Sequence, residues 1–296
     1  MADAKQGSQA KLCMEPGAAA HTFNTSSEPY HFVRESMQMT QTVVDGSAIR
    51  GTRSHPKETV RAVRQECGGD IVLHANPQDL NLLLPRILGS AESSDSFTMA
   101  ETLPAFGVLV DRVQQQFEYT DCVVNRAMFR ARSGELVELT VNIWARTEVA
   151  GTSYPSLTLG TTDVQPYVMS EGVLTIIGTA RGFHDFEVSI DNHLERRYAN
   201  SLTATSITPT DRTVILRVSV PFDADDLVHT TAPGAQGGTL VFTNGNISTT
   251  FTFANLTNNY RSSVIGGKSE INSTLEYVAR DSGATKALVV THDSTS

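Results

Sequence analysis

The chain has 296 residues, 40% of them hydrophobic and 19% charged, with a formal net charge of −9. This apolar content supports a globular core, built either as two ordinary domains or as one large β domain. The acidic balance and the lack of a Lys/Arg cluster argue against a protein that grips nucleic acid through its phosphates, and no apolar run is long enough for a membrane span or a secretory signal.

The three cysteines are Cys13, Cys67 and Cys122. Their number is odd, they are widely spaced, and no C-x-x-C pair occurs. This pattern indicates free thiols rather than a disulfide framework or a zinc site.

The N-terminal third begins with small polar residues that have no periodicity. We expect residues 1–30 to form an arm rather than a packed element. A strand is predicted over 32–40, followed by a long polar loop over 41–56 and a second strand over 59–74. Loops as long as 41–56 are usually functional or disordered.

One helix is predicted after the second strand. Asn76 can cap its start, Pro77 suits its first turn and Gly89 can close it. Pro85 lacks the N–H that a helix interior needs, so we expect a kink or an early end there. The apolar positions follow the spacing of one buried face: Leu80, Leu83, Leu84, Ile87 and Leu88.

A long amphipathic β-hairpin is predicted from Gln115 to Thr147, with its turn at 132–134, after a strand over 105–113. In the outgoing strand two sets of side chains alternate. The predicted inner face carries Val137, Leu139, Val141, Ile143 and Ala145. The predicted outer face carries Glu138, Thr140, Asn142, Trp144 and Arg146.

The second half is more thoroughly β. We place a boundary in the small polar stretch 147–155 and divide the chain into an arm (1–30), a first β domain (31–150) and a second β domain (151–296). Seven short strands are predicted in the second domain, at 172–178, 185–190, 213–220, 239–243, 248–254, 269–279 and 287–291.

The hairpin recurs in weaker form from Thr249 to Asp281, at an offset of 134 residues. The shift places Ile271, Ser273, Leu275, Tyr277 and Ala279 on the inner face and Asn272, Thr274, Glu276, Val278 and Arg280 on the outer face. Few residues are identical between the two segments, so the evidence for a repeat is the preserved alternation. A β-unit used twice is typical of an assembly built from repeated units.

No catalytic set can be proposed from spacing. Gly266-Gly267-Lys268-Ser269 lacks the earlier glycine of a phosphate-binding loop and lies between strands, so a hairpin turn is the better interpretation. Asp223, Asp225, Asp226 and His229 are more simply a solvated loop than a cation site. We therefore expect no enzyme activity, cofactor or metal.

The order of elements resembles the major tail tube proteins of long-tailed, siphovirus-like bacteriophages. The residues that carry the resemblance are the loop glycine and arginine, Gly51 and Arg53, the helix Pro77-x-x-Leu80-x-x-Leu83-Leu84-x-x-x-Leu88-Gly89, and the long hairpin around Ser133-Gly134. In the second half they are Val188-Ser189-Ile190-Asp191-Asn192, Asp211-Arg212-Thr213-Val214 and Gly266-Gly267-Lys268-Ser269-Glu270. The similarity extends over nearly the whole chain.

The resemblance implies a structural virion protein with a β-sandwich or partial barrel and a flanking helix, made in the host cytoplasm. Six tube folds would form each ring, and stacked rings would form the hollow tube that delivers DNA. Implied partners are further copies of the chain, a tape-measure protein in the lumen, terminator and distal tail proteins at the ends, and double-stranded DNA in passage. A net acidic chain is compatible with a negatively lined lumen.

The chain is about twice the size of many such proteins, so two tandem tube-like folds would need three chains per ring, which we favour over six. We expect the arm (1–30) and the polar loop (41–56) to contact the adjacent ring, because long polar segments without periodicity gain order only by docking, with Asp45, Gly46, Arg50, Gly51 and Arg53 as candidates. The inner barrel would expose Glu138, Thr140, Asn142, Asn272, Thr274 and Glu276. The rival hypothesis is a carbohydrate- or receptor-binding β-sandwich on a virion surface.

Overall fold

A computed structural model describes residues 6–17, 23, 27–46, 49, 51, 53–54, 57–151, 165–222, 237–258, 265, 268, 270–283 and 285–293. Its described part is an array of antiparallel strands with one α-helix, which confirms the predicted mainly β class with a short flanking helix. That helix has 12 residues, too few to cross a membrane.

In the first half, the described residues form ten strands and the helix α1, which spans Pro77–Leu88. The strands are β1 Lys11–Pro16, β2 Glu28–Tyr30, β3 Phe32–Glu35, β4 Gln38–Asp45, β5 Val60–His74, β6 Ser96–Thr98, β7 Phe106–Asp111, β8 Gln116–Arg132, β9 Glu138–Ala145 and β10 Thr147–Gly151. Short 3₁₀ turns lie at Gly7–Gln9 and Lys57–Thr59.

The described part of the second half forms eleven strands and a 3₁₀ turn at Met169–Glu171. The strands are β11 Gly172–Ile176, β12 Thr179–Arg181, β13 Asp185–Asp191, β14 Leu194–Arg197, β15 Ser206–Pro209, β16 Thr213–Pro221, β17 Gly238–Asn244, β18 Ile247–Phe253, β19 Asn255–Asn258, β20 Asn272–Arg280 and β21 Leu288–Asp293. All seven strands predicted here are confirmed, within one to three residues at most of their ends.

Eight strands of the main sheet follow the order β4-β5-β9-β8-β13-β16-β20-β19, and a ninth strand, β3, pairs with the far end of β5 along the same edge as β4. Its core face is the one that the alternation predicts, because Val137, Leu139 and Val141 are buried while the side chains between them are partly exposed. β20 shows the same alternation, with Leu275 and Tyr277 on the core side. Strands with one packed face require this pattern.

Two further sheets flank the main one. Their orders are β2-β1-β7-β8-β10 and β12-β11-β17-β18-β21-β6. β8 belongs to both the main sheet and the first flanking sheet, because its residues 116–122 pair with β7 and β10 whereas its residues 123–132 pair with β9 and β13, with a register shift between Val124 and Arg126. Such bulges bend a strand from one sheet into another. The space between the sheets is filled by one apolar cluster that draws on both halves of the chain.

The order of strands is the same in the two halves. In the main sheet β4-β5-β9-β8 is followed by β13-β16-β20-β19, and every neighbouring pair is antiparallel. The pairing register agrees with the offset of 134: Val123 lies opposite Trp144, and Thr257 lies opposite Val278. The flanking sheets match as well, since β2-β1-β7-β8-β10 corresponds in order to β12-β11-β17-β18-β21.

The helix forms as predicted. The Asn76 side chain accepts a hydrogen bond from the Asp79 N–H at 2.8 Å, and Gly89 has a left-handed φ of 95° with its N–H bonded to the Pro85 carbonyl at 2.9 Å. The five predicted apolar residues are buried. The expected early end at Pro85 is wrong, because the helix continues to Leu88.

Two other expectations are corrected. Residues 1–30 are not an unpacked arm throughout, because β1 pairs with β2 and β7 and its Leu12 is fully buried. The polar loop is shorter than 41–56, since β4 continues to Asp45. The predicted second strand runs through Gly68 and Gly69 as β5, and these glycines allow a close approach: a Cβ at Gly69 would meet the backbone of Ser36.

The three cysteines are free and buried, as predicted. Burial raises the pKa of the Cys67 thiol to about 11 and also raises that of Cys122. These thiols are packing groups rather than nucleophiles.

Candidate functional site

The solvent-facing side of the main sheet brings together all six residues predicted for an inner barrel. Side chains on this face point away from the core because neighbouring residues of a strand alternate. The predicted residues lie on β9 and β20, which are separated by three strands: Glu138, Thr140, Asn142, Asn272, Thr274 and Glu276.

A row of alternating charges crosses this face, one residue per strand. The row runs through Glu138, Arg130, Glu187, Arg217 and Glu276, each opposite the next in the pairing register. Arg130 contacts Glu138 at 2.6 Å, and Arg217 contacts Glu187 at 3.0 Å and Glu276 at 2.7 Å. Opposite charges directly across strands stabilise a sheet, each exposed pair by roughly 0.2–1 kcal/mol.

The Arg217 guanidinium illustrates the electrostatics of the row. Its hydrogen bond to Glu276 is the largest cause that raises its pKa, and Glu187 acts in the same direction. Because the side chain is 44% exposed, solvent screens these interactions. The guanidinium is nonetheless held between two carboxylates.

A second row lies nearer the other end of the strands. The Asn142 amide donates to Asp70 at 2.6 Å and accepts from Asn125 at 3.1 Å, while Arg126 donates to the Ser189 hydroxyl at 3.1 Å. Hydrogen bonds of this kind fix polar side chains that lie flat on the sheet.

Acidic and basic groups nearly balance on the face that these two rows define. The acidic residues are Asp70, Glu138, Asp185, Glu187, Asp191 and Glu276, and the basic residues are Arg126, Arg130, Arg132, Arg217 and Arg280. The chain's net charge of −9 is therefore not concentrated here.

The β4–β5 hairpin carries the residues predicted for ring contacts. β4 is exposed along its whole length, and the hairpin stays closed at its outer end because Thr59 donates to the Asp45 carboxylate at 2.5 Å and Gly46 donates to the Thr59 carbonyl at 3.2 Å. Gly51 has a φ of 73° and Arg53 is exposed. Arg50 lies outside the described residues.

Four valines of this hairpin are about half exposed: Val43 at 54%, Val44 at 51%, Val60 at 48% and Val63 at 48%. An edge strand with exposed apolar side chains is a template for pairing with another chain. The hairpin thus has the character of a contact surface.

The β14–β15 hairpin lies across the ends of β5 and β9. Arg196 donates to the Cys67 carbonyl at 2.5 Å, the Gln65 N–H donates to the Leu202 carbonyl at 2.7 Å, and Arg146 donates to the Ala204 carbonyl at 2.9 Å. No pattern in the sequence predicted this hairpin. Its strands are only four residues long, too short for a periodic signal.

Among the described residues, no group of three or more His, Cys, Asp or Glu side chains is placed to hold a metal ion. The loop with Asp223, Asp225, Asp226 and His229 lies outside the described residues, as do Gly266 and Gly267.

A scan against protein families matches residues 8–279 to the family described as phage tail tube protein. No curated protein matches the chain significantly. The family match spans both halves of the repeated strand order, and the chain therefore belongs to the phage tail tube protein family.

Proposed function

We propose that three copies of this chain form a ring, that rings stack into the hollow tail tube, and that the polar face of the main sheet lines the lumen through which DNA passes. The observation that carries the proposal is the repeated strand order, with four strands from each half joined in one sheet. Among the described residues, β4 and β19 are the two ends of this order, so further copies can continue it.

The stagger between the two halves supports a closed barrel. The pairing register leads from Glu138 across four strands to Glu276. The repeat offset of 134 residues, in contrast, makes Asn272 the equivalent of Glu138. The strands are therefore staggered by four residues per four strands, or one residue per strand. An eight-stranded barrel with shear 8 has the same ratio and a strand tilt of about 36°.

The same geometry gives the size of the ring. Three chains would contribute about 24 strands, and at a spacing of about 4.8 Å and a tilt of about 36° the barrel backbone would be about 45 Å across. Six chains would double both the strand number and the diameter. Three chains already supply the six tube folds of a ring, which is why we favour that number.

The charge pattern supports passage without binding. Binding to DNA depends on cations that neutralise phosphates, and here Arg130 and Arg217 are already in contact with carboxylates. The net charge of the chain suggested a negatively lined lumen, but the face that we propose for the lumen carries paired charges.

We further propose that the segment that follows the β4–β5 pairing contacts the adjacent ring, through Gly46, Arg50, Gly51 and Arg53. Polar segments of this kind gain order by docking. A tape-measure protein in the lumen and terminator and distal tail proteins at the tube ends complete the proposed partners, with assembly in the host cytoplasm and a final location in the virion.

Electron microscopy of concentrated, purified protein tests the proposal. We expect hollow tubes, whereas persistent monomers would overturn it. Replacing residues 47–56 with a short Gly/Ser linker should leave folded protein that no longer forms long tubes. Tubes of normal length from that variant would refute the inter-ring role of the segment.

A further inference from the structure

We propose that the cleft beside β16 and β20 receives the outer end of the β4–β5 hairpin from a second copy of the chain in the same ring. The inference rests on the proposed function and adds a defined contact to it. The cleft has a volume of about 390 Å³ and is lined by residues that include Arg212, Val214, Arg280 and Lys286.

The chain contains its own template for this contact. The β14–β15 hairpin of the second half lies over β5 and β9 of the first half, where its Arg196 donates a hydrogen bond to the Cys67 carbonyl. The Arg196 guanidinium carbon is 4.2 Å from the Trp144 ring centroid, and the side chain also reaches Glu66 at 3.6 Å. If the two halves of the chain are equivalent, the β4–β5 hairpin of the first half needs a matching surface on the second half of another copy.

The pairing register locates that surface. β9 corresponds to β20 at an offset of 134, and β5 corresponds to β16 at an offset of 147, because Cys67 opposite Ala145 matches Val214 opposite Ala279. The positions under the β14–β15 hairpin, Gln65, Cys67, Trp144 and Arg146, therefore correspond to Arg212, Val214, Val278 and Arg280. Three of these four line the cleft, and Val278 lies on β20 on the face opposite to that of the lining residue Ala279.

The two hairpins also correspond residue by residue. Arg196 lies opposite Ile207, and Asp45 lies opposite Val60, which is the position 147 residues before Ile207. Just before these residues, the pairing register shifts by one residue in each hairpin. In the first half the shift lies between Thr42 and Val43, and in the second half it lies between the β13–β16 pair and the β14–β15 pair. Asp45 thus occupies the position of Arg196.

The two hairpins carry opposite charges at equivalent positions. Arg196 is cationic and contacts Glu66, whereas Asp45 is anionic and the cleft carries Arg212, Arg280 and Lys286 together with Glu101, Asp211 and Asp281. Lys286 already contacts Glu101 and Asp281, so Arg212 and Arg280 are the cations that we assign to Asp45. Arg212 donates to neutral groups, the Asn192 side chain at 3.1 Å and the Ala100 carbonyl. A carboxylate near it would gain a charge-assisted contact, and docking would also cover the exposed valines of the hairpin.

Chemical crosslinking tests this contact. We would prepare the full chain with Asp45→Cys and Val278→Cys, assemble tubes, and treat them with bis-maleimidoethane. The three native cysteines are buried, so unmodified protein and the two single variants are matched controls. The variant with Arg196→Cys and Trp144→Cys tests the reach of the reagent within one chain, since the Gln65, Tyr198 and Arg146 contacts still hold its hairpin.

On a denaturing gel, we expect the double variant to give a ladder of crosslinked chains whose largest species contains three chains. A ladder without an upper limit would place the contact between rings and overturn the proposal. Tubes that form without any crosslink, while the internal pair reacts, would overturn the contact and leave the tube function standing. If the double variant neither assembles nor crosslinks, and the unmodified protein does not assemble either, the result would count against both the contact and the tube function.

Assembly of a charge variant gives a second measurement. Asp45→Lys should raise the protein concentration needed for half-assembly at least about fivefold, because it places a cation against Arg212 and Arg280. Glu195→Lys is the matched control, since Glu195 is an exposed residue on the internal hairpin. Equal concentrations for the two variants would contradict the proposal.

Discussion

Arg196 lies over the ring of Trp144, with 4.2 Å between its guanidinium carbon and the ring centroid. The two residues belong to different halves of the chain, so this contact fastens the β14–β15 hairpin of the second half onto the first. Trp144, which the sequence places on the outer face of β9, is therefore a packing residue in the described structure.

The first prediction concerns this contact. Arg196→Ala should lower the free energy of unfolding by about 1–3 kcal/mol, because the side chain is 11% exposed and the cation–π contact and the Cys67 bond are lost together. Arg64→Ala is the control, since Arg64 also stacks on an aromatic ring, Tyr198, but its side chain is 50% exposed. Denaturant unfolding should show a clearly smaller loss for the control, and equal losses would contradict the account.

The second prediction concerns the packing of β2. Glu28 accepts a hydrogen bond from Arg86 at 2.6 Å, and Arg86 is 5% exposed on α1. Glu28→Ala should destabilise the protein by about 1–3 kcal/mol, because it leaves a buried guanidinium without its carboxylate. Glu101→Ala removes the partner of Lys286 at an exposed site and should cost clearly less than Glu28→Ala, because solvent screens the pair. A negligible effect of Glu28→Ala would indicate that β2 is not held as described.

The third prediction compares two glycines with positive φ. Gly89 (95°) closes α1, and a Cβ there would meet the Thr102 carbonyl at 2.5 Å, whereas Gly134 (86°) has no atom within 4 Å of the same position. Gly134→Ala should cost about 1–2 kcal/mol from backbone strain alone. Gly89→Ala should cost more, because it adds the clash, and thermal unfolding of both variants checks the order.

The fourth prediction is a pH dependence. His292 is buried, its Nε2 donates to the Pro77 carbonyl at 2.9 Å, and its Nδ1 accepts from Thr249 at 2.8 Å. Desolvation lowers the pKa of His292 below its usual 6.5. The unfolded chain therefore takes up this proton at a higher pH than the folded one, so the stabilisation is complete above pH 6.5 and is lost as the pH falls through the folded pKa.

His292→Gln isolates this effect, because glutamine can keep both hydrogen bonds and does not titrate. Between pH 7 and pH 5, unfolding free energies should fall more steeply for the unmodified protein than for the variant. Asp79, whose pKa burial raises to about 6, titrates in both proteins and cancels in the difference. Parallel curves would show that His292 does not contribute.

The sequence predicted the elements whose signal is local. α1 has a cap, a start and a stop within its own residues, and β9 and β20 have long alternating patterns, so their faces could be assigned without coordinates. The offset of 134 could also be found, because the alternation persists where identities do not.

The parts that were missed depend on distant partners. β1 lies in a polar, unperiodic segment and is a strand because β7 and β2 bond to both of its edges. The charge row could not be predicted, since Glu138, Arg130 and Arg217 are brought together by pairing across separate hairpins. Register between distant strands is a tertiary property that no local pattern encodes.

The number of chains per ring tests the central claim most directly. Cryo-electron microscopy of the assembled tubes, viewed in cross-section, would measure both the symmetry and the inner barrel. We predict three chains per ring and a barrel backbone about 45 Å across, built from about 24 strands. Six whole chains per ring around a single fold from each, with the second half outside the barrel wall, would contradict the account.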